Sequence, residues 1–184
     1  MIDVTEIGPG DVLCTRSEKG LGSFLIRLGA ALRNRPNLHN HVVIVHHRDA
    51  AGTWWGIEGR PGGVGWVDMA HYLKSDWTLG NIDQPKTSKQ RTEIVNVAKS
   101  LLGTPYDWTG IALDAMEAIS AQELWAGHWG KGDTPPAHVV CSSLADWIYD
   151  HIGLASPGAF KDRTISPGDW AEFIIREGWD WDEE

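Results

Sequence analysis

Cys141 follows a short apolar lead-in, His138-Val-Val140, and precedes a segment in which Leu144, Ala145, Ile148 and Ile152 recur at helical spacing before Gly153. The spacing predicts a helix that begins at or beside the cysteine. The first turn of a helix leaves backbone N–H groups unpaired and carries the positive end of the macrodipole, and both favour a thiolate over a thiol. A thiolate in that position suits nucleophilic attack on a carbonyl carbon, and the N–H groups around it suit the resulting oxyanion. The competing role for Cys141 is that of a small buried hydrophobe filling a gap under the helix.

A cysteine nucleophile needs a base within hydrogen-bond reach and a third group to orient that base. The chain has 8 histidines. His41 stands out because it opens His41-Val-Val-Ile-Val45, the strongest strand signal in the sequence, and a rigid strand holds a catalytic group more accurately than a loop. Glu58 closes the next strand candidate, Thr53-Trp-Trp-Gly-Ile-Glu58. If the two strands pair, its carboxylate can reach the free nitrogen of His41. The alternative for Glu58 is a surface carboxylate beside Arg60, and for His41 a histidine satisfied at a strand end. Tyr106, in Gly103-Thr-Pro-Tyr106-Asp, can line the site or donate to an oxyanion, or can pack in the core at a helix start. Ser142, next to the cysteine, is a second candidate for substrate or oxyanion contact. Cys14 lies in a predicted strand and reads as structural. His39 and His41 are expected to share a strand face, and with His46 and His47 they raise the question of zinc. No Cys-x-x-Cys or His-Glu-x-x-His spacing accompanies them, and neither a metal nor a cofactor is expected.

The elements that must position these residues fall into two halves. Asp11-Val-Leu-Cys-Thr15 reads as a strand, Phe24 to Leu32 as an amphipathic helix, and His41–Val45 as a central strand, apolar on both faces. Gly59-Arg-Pro-Gly-Gly63 reads as a turn, with Val64 to Val67 returning in a meander and Asp76 to Gly80 adding a further strand. From Thr87 the period changes. Thr87-Ser-Lys-Gln90 forms a capping-box signature, and Ile94, Val95, Val97, Ala98, Leu101 and Leu102 follow at helical spacing. A second helix is predicted through Ile111, Ala112, Met116 and Ile119. Ser166-Pro-Gly-Asp169 opens a last one, with serine as N-cap and proline in the first turn. Strands first and helices second predict an α+β fold.

At 184 residues the chain fits one domain spanning 1–184, with a Trp-rich insertion over 109–137 and an acidic tail over 180–184. The net charge of −9 argues against a nucleic-acid partner. No apolar run is long enough to span a bilayer, and the start has neither a basic nor an apolar leader region. The expectation is therefore a chain without an integral membrane segment, cytoplasmic on synthesis, in a reduced compartment that fits 2 widely separated cysteines. The 11 tryptophans belong mostly in core or cleft walls.

Five short motifs then follow one order: Gly10-Asp11-Val-Leu13, Asn40-His41-Val-Val-Ile-Val45, Glu58, Gly103-Thr-Pro-Tyr106-Asp, and Val140-Cys141-Ser-Ser-Leu144. In that order the chain resembles the circularly permuted branch of the NlpC-type papain-like superfamily, which includes YiiX-like proteins and, more distantly, the lecithin:retinol acyltransferase group. There the histidine strand precedes the cysteine helix, as it does here. The resemblance covers roughly residues 8 to 152. It implies a permuted papain-like fold, with a small antiparallel sheet packed against helices and a cleft between them. By position Cys141 matches the nucleophile, His41 the base, Glu58 the third polar residue, and Tyr106 the aromatic after Gly-x-Pro. The activity implied is a cysteine peptidase or amidase acting on a peptide or peptidoglycan-like substrate. If the wall is the target, a phage-encoded or otherwise delivered protein would account for access to it. The alternatives are an acyltransferase or thioesterase on acyl-lipid substrates, and a binding or structural module without turnover.

Overall fold

The computed structural model describes residues 6–16, 39–75, 78–111, 134–160 and 165–176. Its elements, in chain order, are strands β1 (Val12–Thr15), β2 (His41–Arg48), β3 (Trp54–Arg60) and β4 (Gly63–Asp68), helix α1 (Ala70–Leu73), strand β5 (Leu79–Gly80), helices α2 (Ser88–Ser100) and α3 (Cys141–His151), a short 3-10 turn (Pro157–Phe160) and helix α4 (Pro167–Ile175). The fold is α+β. A five-stranded open sheet has the order β4-β3-β2-β1-β5, and each pairing is antiparallel. The helix expected over Phe24 to Leu32 lies outside the described residues, as does most of the Trp-rich 109–137 stretch.

β2 is central because Val42, Val43, Ile44 and Val45 are buried on both faces. One face joins Val12, Cys14, Val42, Ile44 and Ile57 to the apolar sides of α2, α3 and α4. The other sets Leu13, Val43 and Val45 against Met69 and Tyr72. Alternate residues of each strand serve opposite cores, as the period of two requires. Each large aliphatic side chain so buried is worth about 1.5–3 kcal/mol.

Several local expectations are corrected. Gly59–Gly63 is not a turn as a whole: β3 runs on to Arg60, β4 begins at Gly63, and Arg60 pairs with Gly63 across a tight connection. The ladder continues because Glu58 and Gly59 pair with Gly65 and Val64. The strand expected from Asp76 is described only at Leu79–Gly80. His39 precedes β2, so it does not share a strand face with His41. β2 is also longer than its apolar run, and its register against β3 shifts between Val45 and His47.

The helix caps follow the sequence. The Gln90 N–H donates to Thr87 Oγ1 at 3.2 Å, and Gln90 Oε1 accepts from the Thr87 N–H at 2.8 Å. Ser166 and Asp169 form the same reciprocal pair at α4. α3 is anchored by long-range bonds. Tyr149 Oη donates to the Gly10 carbonyl at 2.6 Å and accepts from Asn81 Nδ2 at 3.0 Å, while Asn81 Oδ1 takes the Val12 N–H at 2.7 Å. Asp11, in the first motif, holds buried Lys86 at 3.0 Å and Arg91 at 2.8 Å.

Candidate active site

His41 is the first residue of β2, and β3 runs antiparallel beside it, so the start of β2 neighbours the end of β3. The N-terminus of α3 comes to the same place. Gly59 lies so close to it that a Cβ there would meet Cys141 N at 3.1 Å and Val140 C at 3.2 Å. Only glycine lets strand and helix terminus approach this far without displacement. The N-cap of α3 is Val140, which has no side chain able to cap, although its own N–H donates to Ser143 Oγ at 3.0 Å. The first-turn N–H groups of Cys141 and Ser142 are among those that a helix leaves without an internal acceptor.

His41 and Glu58 meet. Nε2 and Oε2 are 2.6 Å apart, and the two side chains are 14% and 5% exposed. The surface role for Glu58 is thereby excluded. The Cys141 sulfur stands within hydrogen-bonding reach of the His41 ring. Burial works against a charged imidazole. It is outweighed by the negative charge of Cys141, the hydrogen bond with that sulfur, and the hydrogen bond and charge of Glu58, so the His41 pKa is pushed up to about 10. For Glu58, burial favours the neutral acid. The bond and charge of His41, the Tyr72 hydroxyl and the Arg60 charge prevail and hold the carboxyl below its usual range.

Tyr106 is brought toward Cys141 by the backbone. It forms a parallel bridge with Val139, and the Asp107 N–H donates to the Val139 carbonyl at 3.0 Å, so Tyr106 is fixed to the residue two before Cys141. Burial, then the charges of Cys141, Glu58 and Asp107, raise its hydroxyl pKa, which keeps the phenol a proton donor at neutral pH. The Ser142 hydroxyl points elsewhere. Oγ donates to the Ile165 carbonyl at 2.7 Å, and the Ser142 carbonyl accepts from Trp170 Nε1 at 3.1 Å. Its side chain ties α3 to α4, and only its backbone N–H remains for an oxyanion.

Cys14 is buried, and its thiol donates to the Pro167 carbonyl at 3.0 Å. Burial first, then the charge of Cys141, drive its pKa up, against a weaker opposing bond from the Ala171 backbone. Both cysteines are free. His46 and His47 pair with each other, Nδ1 to Nδ1 at 3.0 Å, at the β2 irregularity. Among the described residues no group of three or more His, Cys, Asp or Glu is arranged to hold a metal ion, and no helix is long and apolar enough to cross a membrane.

The residue that sequence reading missed is Tyr72. Its hydroxyl donates to Glu58 Oε2 at 2.8 Å, and its ring lies 5.6 Å from that of His41. It sits on the four-residue helix α1. A segment that short has no periodicity to read, and Met69-Ala-His-Tyr72 carries no catalytic signature. The one available signal was a tyrosine following a strand that faces a candidate dyad. The sequence matches no protein-family model and no curated protein.

Proposed function

We propose that this chain is a cysteine-dependent hydrolase of amide bonds, with Cys141 as nucleophile, His41 as base and Glu58 as the residue that orients the base. One observation carries the reading: three residues 17 and 100 positions apart converge, with Glu58 2.6 Å from one ring nitrogen of His41 and the Cys141 sulfur in reach of the same ring. With Nε2 committed to Glu58, Nδ1 is the nitrogen available to the thiol.

The chemistry follows from that assignment. The thiol proton rests on Nδ1, in keeping with the raised His41 pKa, and the sulfur bonds to the substrate carbonyl carbon. The carbonyl oxygen takes the negative charge, held by first-turn N–H groups of α3 and by the Tyr106 hydroxyl. The C–N bond then breaks as Nδ1–H protonates the leaving amine. Water, deprotonated by Nδ1, attacks the thioester, and the C–S bond breaks to restore the thiol. Peptide bonds of cell-wall or related peptides are the leading substrate class. The order of histidine strand and cysteine helix, with an open antiparallel sheet against helices, supports a permuted papain-like arrangement in which the cleft runs along the α3 N-terminus.

Incubation with muropeptides and with acyl esters, followed by mass spectrometry of products and of the intact protein, tests this. The expected result is a new free amine from the muropeptide and an acyl adduct on Cys141 that Cys141→Ala lacks. Turnover of esters alone would reassign the site to acyl transfer. No product and no adduct from either substrate would leave a binding or structural module.

A further inference from the structure

Glu58 is held by more than the dyad requires. One carboxylate oxygen, Oε2, accepts both from His41 Nε2 at 2.6 Å and from Tyr72 Oη at 2.8 Å. The other, Oε1, faces Arg60 Nη1 at 3.7 Å, and the Arg60 side chain is 48% exposed. A guanidinium and a carboxylate so placed would ordinarily close into a short, two-pronged pair, whereas 3.7 Å is too long for a hydrogen bond. Something restrains the carboxylate.

Tyr72 is built to do so. Its carbonyl accepts from Thr78 Oγ1 at 2.6 Å, Thr78 Oγ1 lies 3.0 Å from Thr15 Oγ1, and Thr15 is the ladder partner of His41. The contacts therefore close a ring through β1, the Thr78 segment, α1, β3 and β2. The charged and titratable groups facing Glu58 are His41 from β2, Arg60 from β3, Tyr72 from α1, and, across the site, Cys141 and Tyr106.

We propose that Tyr72 is a positioning residue: it keeps Glu58 turned toward His41 and away from Arg60, and so sets the reactivity of the Cys141–His41 pair. This rests on the catalytic reading above. Loss of the Tyr72 hydroxyl lets Glu58 swing to Arg60, which removes the contact and charge that favour a protonated His41.

The test is the pH–rate profile of Cys141 alkylation by iodoacetamide in the full chain, read by peptide mass spectrometry. Tyr72→Phe keeps the ring against His41. Loss of a contact worth about one pKa unit moves the alkaline limb down by about one unit, and alkylation is expected to be about fivefold slower at pH 10. Adding Arg60→Gln to Tyr72→Phe removes the competitor and is expected to recover most of the rate, with Arg60→Gln alone as reference. Should Tyr72→Phe not fold, Thr78→Val cuts the tether at the Tyr72 carbonyl and is expected to slow alkylation in the same sense, again with recovery on Arg60→Gln. A wild-type rate in Tyr72→Phe, an upward shift of the limb, or a double variant as slow as the single would each overturn the proposal. Failure of the catalytic reading shows separately, in the wild type: Cys141 then labels no faster than Cys14, and this role for Tyr72 falls with it.

Discussion

His41 carries two contacts on one ring, and its charge state follows from them. The carboxylate of Glu58 on one side and the sulfur of Cys141 on the other outweigh the cost of burial and push its pKa from 6.5 up to about 10. A pKa raised on folding stabilises the folded chain fully below 6.5, and this contribution is lost as pH rises through about 10. Wild-type protein is therefore expected to lose more melting temperature between pH 6.5 and 10 than His41→Ala does. Equal losses in the two would show that the ring gains no such proton affinity. Cysteine, histidine and glutamate were legible as candidates because each closes or opens a predicted element. Tyr72 was not, because its role depends on Glu58 turning inward, which residue type does not disclose. The direction of the Ser142 hydroxyl was not legible for a similar reason: nothing in Cys-Ser-Ser tells which hydroxyl turns toward Ile165.

At the scale of elements, the site is a meeting of one strand end with one helix start. Gly59 is the contact point, and its missing side chain permits the approach. Gly59→Ala inserts a methyl group 3.1 Å from Cys141 N, and overpacking of this kind costs about 1–3 kcal/mol. The expected outcome is a lower melting temperature together with slower Cys141 alkylation, since the helix terminus must retreat from His41. Unchanged melting and alkylation would mean that strand and helix do not press on one another. The long elements were legible: β2 from its uninterrupted β-branched run, α2 and α4 from capping signatures that the hydrogen bonds repeat, and α3 from its apolar spacing. The β3–β4 connection was not, because Gly and Pro mark a turn without saying which of five residues leave the ladder. The four-residue α1 falls below the length at which a period can be read.

At the scale of the whole molecule, the catalytic reading depends on long-range ties that fix α3 and the helices beside it over the sheet. Tyr149 reaches Gly10 across 139 positions of sequence, and Cys14 reaches Pro167 across 153. Asp11 joins the first turn to buried Lys86 and to Arg91 on α2, and breaking such a buried pair costs on the order of 3–5 kcal/mol. The Gly10-Asp11 motif, noticed in the sequence for its place in an order, thus has a structural task. These pairings were illegible beforehand because separation along the chain carries no register. The α+β class was legible from the change of period at Thr87. The central claim is that this architecture makes one of two free cysteines reactive through His41. Iodoacetamide labelling near neutral pH tests it most directly, with both thiols quantified in wild type and in His41→Ala. The account predicts that Cys141 is modified much faster than Cys14 and that His41→Ala abolishes the difference. Equal, slow labelling of both thiols in the wild type would contradict it.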